Sequence, residues 1–101
     1  EHGASVNAKS KDGKTALMQA AVRGHEKLGA MLVEHGASVN AKDQDNTAVL
    51  GWAAMGDNEK LGAMLVEHGA SVNAKSKDGK TALMQAAVRG HEKLGAMLVE
   101  H

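Results

Sequence analysis

Residues 3–35 read GASVNAKSKDGKTALMQAAVRGHEKLGAMLVEH, and residues 69–101 repeat those 33 letters without a change. Residues 36–68 keep both ends of the unit but differ in the middle, where residues 43–58 read DQDNTAVLGWAAMGDN. A fixed period of this length is typical of a solenoid, in which each unit buries one face and must stack on its neighbours. The period therefore predicts a single domain over residues 1–101, made of a first repeat (3–35), a middle repeat (36–68) and a third repeat (69–101), with residues 1–2 as the tail of a preceding unit.

The composition restricts both the core and the chemistry. The 101 residues are 43% hydrophobic, yet they include one Trp and no Phe, Tyr or Cys. A core of Ala, Leu, Met and Val suits closely stacked helices better than a sandwich or a barrel. The charged start, EHGASVN, does not have the apolar segment of a signal peptide, and no apolar run reaches the roughly 18–20 residues that span a bilayer. We therefore expect a soluble protein that is not inserted in a membrane, whose compartment the sequence leaves open.

The charge is balanced overall and uneven along the chain. Twelve basic residues match twelve acidic ones, which argues against nucleic acid as a partner because its binding needs a basic excess. The first and third repeats each carry five basic and three acidic residues, whereas the middle repeat carries two and five. Two interpretations follow: neighbouring repeats attract one another, or the acidic middle repeat faces a basic partner.

Each repeat contains the signals of two short helices. Thr15 is a suitable N-cap for a helix over Ala16 to Val22, and Gly24 can adopt the left-handed conformation that ends it. A second helix is predicted from about Glu26 to Glu34, with apolar residues at helical spacing. The polar turn that precedes the first helix contains Lys-Asp-Gly in the outer repeats, which favours a hairpin.

From G-A-S-V-N-A through D-G-K-T-A-L to A-A-x-x-G-H, the unit resembles the ankyrin repeat over its whole length, and three copies fill the chain. The resemblance implies an all-α solenoid, a stack of helix-turn-helix units with projecting β-hairpin fingers. It also implies a non-catalytic module, without cofactor, that binds a protein partner through the finger tips and the concave face of the first helices.

Several positions depart from the family pattern. T-A-L-M stands in the outer repeats where the family has T-P-L-H. Gly29, Gly62 and Gly95 lie inside the predicted second helices, where each glycine costs about 1 kcal/mol of stability relative to Ala unless it permits close helix contact. The outermost repeats are internal in type, so we expect open apolar faces and head-to-tail self-association. The perfect identity of two repeats further suggests an engineered protein. An alternative function is therefore a designed scaffold for folding or self-assembly, with no external ligand.

The middle repeat is the predicted binding site. Trp52, the only aromatic residue, stands where the first repeat has Gln19. It is interpreted either as packing against a neighbouring repeat or as an interface anchor, since Trp is enriched among binding hot spots. The finger tips are the second candidate surface, although solvated turns are the alternative there. The predicted protein-binding residues are Gln44, Asp45, Thr47, Trp52, Met55, Gly56, Lys11, Lys14, Arg23, Lys77, Lys80 and Arg89.

Catalytic and metal sites are not expected. The sequence has no Cys nucleophile, no nucleophile elbow and no phosphate loop, which argues against an enzyme. Repeats about 10 Å apart would hold histidines too far apart to share one zinc ion, whose ligands lie about 2 Å away. The histidines that recur at one register are His2, His35, His68 and His101.

One further property follows from the resemblance. Asn7, Asn40 and Asn73 occupy loops in which ankyrin repeats can be substrates of asparaginyl hydroxylation. Ser38 replaces the acidic residue usual in that pattern, so a structural role in the loop is the favoured interpretation for these asparagines.

Overall fold

A computed structural model describes residues 5–101, and within this range the chain forms six helices. They are α1 (Ala16–Arg23), α2 (Glu26–Glu34), α3 (Val49–Met55), α4 (Glu59–Glu67), α5 (Ala82–Arg89) and α6 (Glu92–Glu100). The all-α solenoid predicted from the repeat is confirmed. The fingers between the pairs are tight turns, and the described residues contain no strand beyond an isolated β-bridge between Lys42 and Ala48. The predicted tail at residues 1–2 lies outside the described residues.

The helices form two layers. The first helices α1, α3 and α5 pack successively on one another, and so do the second helices α2, α4 and α6. Loops of two or three residues join the helices of each pair, which makes them antiparallel neighbours. The core between the layers combines small and branched side chains, because alanines let the helices approach closely. Its fully buried members include Leu17, Ala21, Leu50, Ala53, Ala54, Leu61, Leu65 and Leu94.

The outer repeats cap their first helices as the sequence predicts. Thr15 Oγ1 accepts a hydrogen bond from the Met18 amide at 3.3 Å, and Gly24 ends α1 with φ +75°. The middle repeat uses other residues. Ala48 precedes α3 without a side-chain cap, while Asn58 caps α4 by accepting from the Leu61 amide at 3.2 Å. The middle repeat therefore forms the same two helices, although its first helix lacks the side-chain cap of the outer repeats.

The glycines inside the second helices permit close packing between repeats. A Cβ on Gly29 would lie 2.8 Å from Leu61 Cδ1, and a Cβ on Gly62 would lie 3.1 Å from Leu94 Cδ1. Each leucine thus packs closely over a glycine of the preceding repeat, and an added Cβ would make the end of the leucine side chain shift. The close contact that could offset the helix cost of these two glycines is therefore present.

Side-chain hydrogen bonds also join the loops of successive repeats. Asn7 Nδ2 donates to the Gly36 carbonyl at 3.1 Å, and Asn7 Oδ1 accepts from the Ser38 amide at 2.8 Å. Asn40 makes the same pair of bonds to the third repeat at 3.0 and 2.9 Å. These two asparagines have the structural role that the sequence favours.

The fingers are joined by backbone hydrogen bonds. The Gln44 amide donates to the Asp12 carbonyl at 2.9 Å, and the Lys77 amide donates to the Asp45 carbonyl at 2.9 Å. The three tips therefore form one continuous edge along the stack, so residues far apart in sequence share a surface.

Candidate functional site

Trp52 lies half-buried on α3, in the layer of first helices, and is fixed from two sides. Its indole Nε1 donates to Asp43 Oδ2 at 3.2 Å. The ammonium nitrogen of Lys14, from the preceding finger, lies 4.9 Å from the centroid of its ring. At this distance the ammonium is attracted by the negative face of the ring. Trp52 thus packs on the core and keeps an exposed part, and its role as an interface anchor stays a prediction.

Asp43 orients the indole because the finger turn holds its carboxylate. Its Oδ1 accepts from the Asp45 and Thr47 amides, each at 2.9 Å, which makes an Asx-type turn. Only 7% of Asp43 is exposed. Asp43 is absent from the predicted site residues. The signal that could have found it is an Asp at the register where both outer repeats have Ser, nine positions before the only Trp.

The serine that the outer repeats have at the register of Asp43 accepts fewer hydrogen bonds. Ser10 Oγ accepts a single hydrogen bond from the Lys14 amide at 3.2 Å, and Ser76 Oγ accepts one from the Lys80 amide at 3.3 Å. A carboxylate has a second oxygen and more lone pairs than a hydroxyl. The change to Asp therefore keeps the turn and adds an acceptor for the indole.

The residues beside Trp52 differ in what they offer. Met55 is half-buried, and it can adapt to a varied surface because its side chain is flexible. Gly56 instead lies against the carbonyl oxygens of Ala21 and Val22, so it serves the stacking of α3 on α1. A partner could therefore use the side chain of Met55, whereas Gly56 is a packing residue.

Gly51 is buried and leaves a gap between the middle and third repeats. A cavity of about 10 Å³ adjoins it, and Gln85 and Thr81 of the third repeat contribute to the lining. Met18, at the same register in the first repeat, is 1% exposed and fills its surroundings. The loss of the methionine side chain thus leaves the middle repeat less tightly packed on one side.

Of the remaining predicted site residues, Asp45 and Thr47 touch this centre through their amides, which donate to Asp43. The Arg23 guanidinium donates to Gln19 Oε1, and the Arg89 guanidinium donates to Gln85 Oε1 at 2.5 Å. Gln19 and Gln85 have the register of Trp52, so arginine–glutamine pairs flank the tryptophan repeat on both sides. Thr47 is half-buried, and the exposed finger residues are Lys11, Gln44, Asp45, Lys77 and Lys80.

The described residues contain neither a cluster of metal ligands nor a helix that could cross a membrane. Within residues 5–101 no three histidine or acidic side chains lie close enough to hold a metal ion, and His2 of the predicted column lies outside this range. No helix in the same range has the length and apolar character needed to cross a membrane. His91, outside the column, has its Nδ1 2.7 Å from the Ala54 carbonyl oxygen and 3.9 Å from Asp57 Oδ1, which links the third repeat to the middle one.

Comparison with known families agrees with this architecture. A family model described as "Ankyrin repeats (3 copies)" matches residues 40–101, which is more than half of the chain. A second model, described as "Ankyrin repeat", matches residues 12–44. No curated protein matches the chain. Ankyrin repeats generally mediate contacts between proteins and are typically non-catalytic. The helix pairs, the linked fingers and these two matches lead to one conclusion: the chain belongs to the ankyrin repeat family.

Proposed function

We propose that this chain is a protein-binding module whose partner contacts the layer of first helices around Trp52 and the finger tip of the middle repeat. The observation that carries the proposal is that Trp52 is held in one orientation by Asp43 and Lys14 while part of it stays exposed. A side chain that is already ordered loses little conformational entropy on binding, and Trp is enriched among hot spots.

The location of the altered residues supports this proposal. The middle repeat differs from its neighbours only in residues 43–58, which comprise its finger, α3 and the loop to α4. Helix α4 has the same nine letters as α2 and α6. The variation is thus confined to one layer and its finger, whereas a change made for stability alone would have no reason to avoid the second helix.

The charges around Trp52 favour a partner that is acidic at its rim. The carboxylate of Asp43 already accepts hydrogen bonds from the indole and from two backbone amides, and Asp57 lies beside His91. Only Asp45 presents an acidic group at the middle finger tip, so the interpretation of the middle repeat as a surface for a basic partner loses support. A partner with an apolar anchor for Trp52 and carboxylates around it would meet the exposed basic residues Lys11, Lys77, Lys80, Arg23 and Arg89.

A random peptide display library tests the proposal without a known partner. The library is selected on the wild-type chain, and the recovered peptides are then screened against Trp52→Gln, which restores the residue of the outer repeats at this register. Lys60→Ala is the matched control, because Lys60 is exposed on α4 in the other layer. We expect the recovered peptides to bind wild type and Lys60→Ala equally and to bind Trp52→Gln at least tenfold more weakly.

The alternative is a designed scaffold with no external ligand. It is supported by the letter-for-letter identity of residues 3–35 and 69–101, from which we also infer an engineered origin. The display experiment separates the two functions. If no peptide distinguishes wild type from Trp52→Gln, the scaffold is the better description and the binding proposal is wrong. The engineered origin has its own test in the coding sequence, since two drifting natural repeats would differ at many synonymous codons.

A further inference from the structure

We infer that the small cavity beside Gly51 is a subsite for one carboxylate of the partner. The inference deepens the proposed function and rests on it, because the carboxylate belongs to the partner that contacts Trp52. The cavity lies at the junction of the middle and third repeats, and both repeats contribute to its walls. Its position is therefore fixed by the packing of two neighbouring units inside the stack.

The polar groups around the cavity can donate hydrogen bonds. Ser76 Oγ already accepts from the Lys80 amide at 3.3 Å, and Thr81 Oγ1 already accepts from the Met84 amide at 3.3 Å. A hydroxyl has one O–H donor besides its acceptor lone pairs, so each of these two side chains still has a proton to donate. The ammonium of Lys80 adds further donors and a positive charge. In the described part of the chain, the polar residues that line the cavity are Thr47, Ser71, Ser76, Lys80, Thr81 and Gln85, and none of its lining residues is acidic.

Gln85 contributes donors as well, because its acceptor is already used. Its Oε1 accepts from the Arg89 guanidinium at 2.5 Å, and the amide group also has two N–H donors. The cavity is thus surrounded by hydroxyl, amide and ammonium donors, without a carboxylate of the chain among them. Donors of this kind make their strongest hydrogen bonds to a charged acceptor, so the lining favours an anion.

At the junction of the first and middle repeats, the chain itself occupies the corresponding place. Asp43 has the register of Ser76, and its carboxylate accepts from the indole of Trp52 at 3.2 Å. Met18 has the register of Gly51 and is 1% exposed. At the next junction Ser76 supplies no carboxylate and Gly51 supplies no side chain to fill the space. A carboxylate from outside can therefore take the place that Asp43 takes one repeat earlier.

The size and position of the cavity define the group that it receives. Its volume is about 10 Å³, roughly the space that holds one water molecule, and a single carboxylate oxygen has a similar size. Neighbouring repeats lie about 10 Å apart, and an extended chain advances about 3.3 Å per residue. A partner segment in an extended conformation therefore places an acidic residue at the cavity about three positions from the residue that contacts Trp52.

Acetate tests the subsite without a partner. Amide chemical shifts of the isotope-labelled chain are followed by NMR during a titration with sodium acetate, and a titration with sodium chloride is the reference. We expect saturable shifts at the amides of Ser76 and Thr81 with acetate only. Ser76→Asp should abolish them, because it supplies a carboxylate of the chain at this register, as Asp43 does in the middle repeat. Ser10→Asp makes the same change in a turn that does not line the cavity, and it should leave the shifts in place.

Peptides selected on the wild-type chain test the assignment of the carboxylate to a partner. We expect the peptides that depend on Trp52 to carry Asp or Glu about three positions from their apolar anchor. Changing that residue to its amide should weaken binding to wild type by about tenfold or more, the loss expected for a hydrogen bond to a charged group. The same change should not weaken binding to Ser76→Asp. Equal losses on both proteins, or peptides without an acidic residue, would overturn the assignment.

Failure of the proposed function gives a different result from failure of the subsite. If no peptide distinguishes wild type from Trp52→Gln, the proposed function is wrong, and so is the assignment of the carboxylate to a partner, whatever acetate does. If acetate shifts the wild-type amides no more than chloride does, or shifts Ser76→Asp as strongly as wild type, the cavity holds an ordered water only. Either of these two acetate results would overturn the inference even where peptides depend on Trp52.

Discussion

The indole nitrogen of Trp52 and the carboxylate of Asp43 are joined by a hydrogen bond of 3.2 Å that has no counterpart in the outer repeats. Both residues differ from those repeats, which have Ser at the first position and Gln at the second. The finger and the helix of the middle repeat are therefore altered as a unit, and the finger residue determines how the helix residue is presented.

Replacing Asp43 by Ser should release the indole while keeping the turn. A serine still accepts one amide, as Ser10 does in the first repeat, but it has no second oxygen for Trp52. We expect a loss of about 1.5–3 kcal/mol in the free energy of unfolding, the range for hydrogen bonds to a charged group. Urea denaturation measures it, and the fluorescence of the only Trp should shift to longer wavelength. Asp45→Ser, which removes an exposed carboxylate from the same turn, is the control and should leave the emission unchanged.

Two glycines at α3 should respond to alanine with opposite signs. A Cβ on Gly51 would meet only Thr47 Cγ2, at 3.2 Å, next to a small cavity, so Gly51→Ala should raise the free energy of unfolding by about 0.5–1 kcal/mol through helix propensity. A Cβ on Gly56 would collide with the carbonyl oxygens of Ala21 and Val22, so Gly56→Ala should lower it by about 1–3 kcal/mol. Thermal or urea denaturation of both variants provides the check. Equal effects would contradict the packing described at α3.

The asparagines of the loops provide an internal comparison, because one of them lacks the bonds that another makes. Asn40→Ala removes the bonds to Gly69 and Ser71 and should cost about 1–2 kcal/mol of stability. Asn73→Ala changes the same residue in the same loop sequence, where the described residues offer no partner, and should stay within about 0.5 kcal/mol of wild type. The measurement is chemical denaturation of wild type and both variants at the same protein concentration. A loss in Asn73→Ala as large as that in Asn40→Ala would show that the inter-repeat bonds contribute nothing.

Two residues of the middle repeat have left-handed backbones where the outer repeats have glycine. Asp57 has φ +54° and Asn46 has φ +62°. Residues other than glycine are sterically disfavoured in this left-handed region, and the steric cost is smallest for Asn. We expect Asp57→Gly to gain about 0.5–1 kcal/mol, because its exposed pairing with His91 at 3.9 Å contributes little. Asn46→Gly should be close to neutral, since it also loses the contact of Asn46 Nδ2 with the Lys75 carbonyl. Melting temperatures of the two variants test this order, and a larger gain for Asn46→Gly would reverse it.

The sequence predicts most of the fold because its local signals agree with its period. The N-cap at Thr15, the left-handed Gly24 and the second helix over Glu26–Glu34 are confirmed, and α1 extends one residue beyond the predicted Val22. The fingers are simpler than the resemblance implies, with one isolated bridge in the described residues. The length of a ladder depends on how two backbones approach, which residue identities alone do not determine.

The candidate site was harder to predict from the sequence. Trp52 stands out as the only aromatic residue. The role of Asp43 depends on a finger turn that places its Oδ2 3.2 Å from the indole Nε1 of Trp52, nine positions later in the sequence. Lys14 is one of the finger residues predicted to bind a partner. Its contact with the Trp52 ring could not be predicted, because it depends on how successive repeats stack. Gly56 follows Trp52 by four positions, and this proximity in sequence suggested contact with a partner. In the structure its backbone packs on α1.

The central claim is that a partner binds through Trp52, which is fixed in one orientation and partly exposed. The most direct measurement is isothermal titration of a peptide selected on the wild-type chain against wild type, Trp52→Gln and Lys60→Ala. We predict that Trp52→Gln raises the dissociation constant at least tenfold, which corresponds to about 1.4 kcal/mol, while Lys60→Ala changes it less than twofold. Equal affinity of the peptide for wild type and Trp52→Gln, with both proteins folded, would contradict the account.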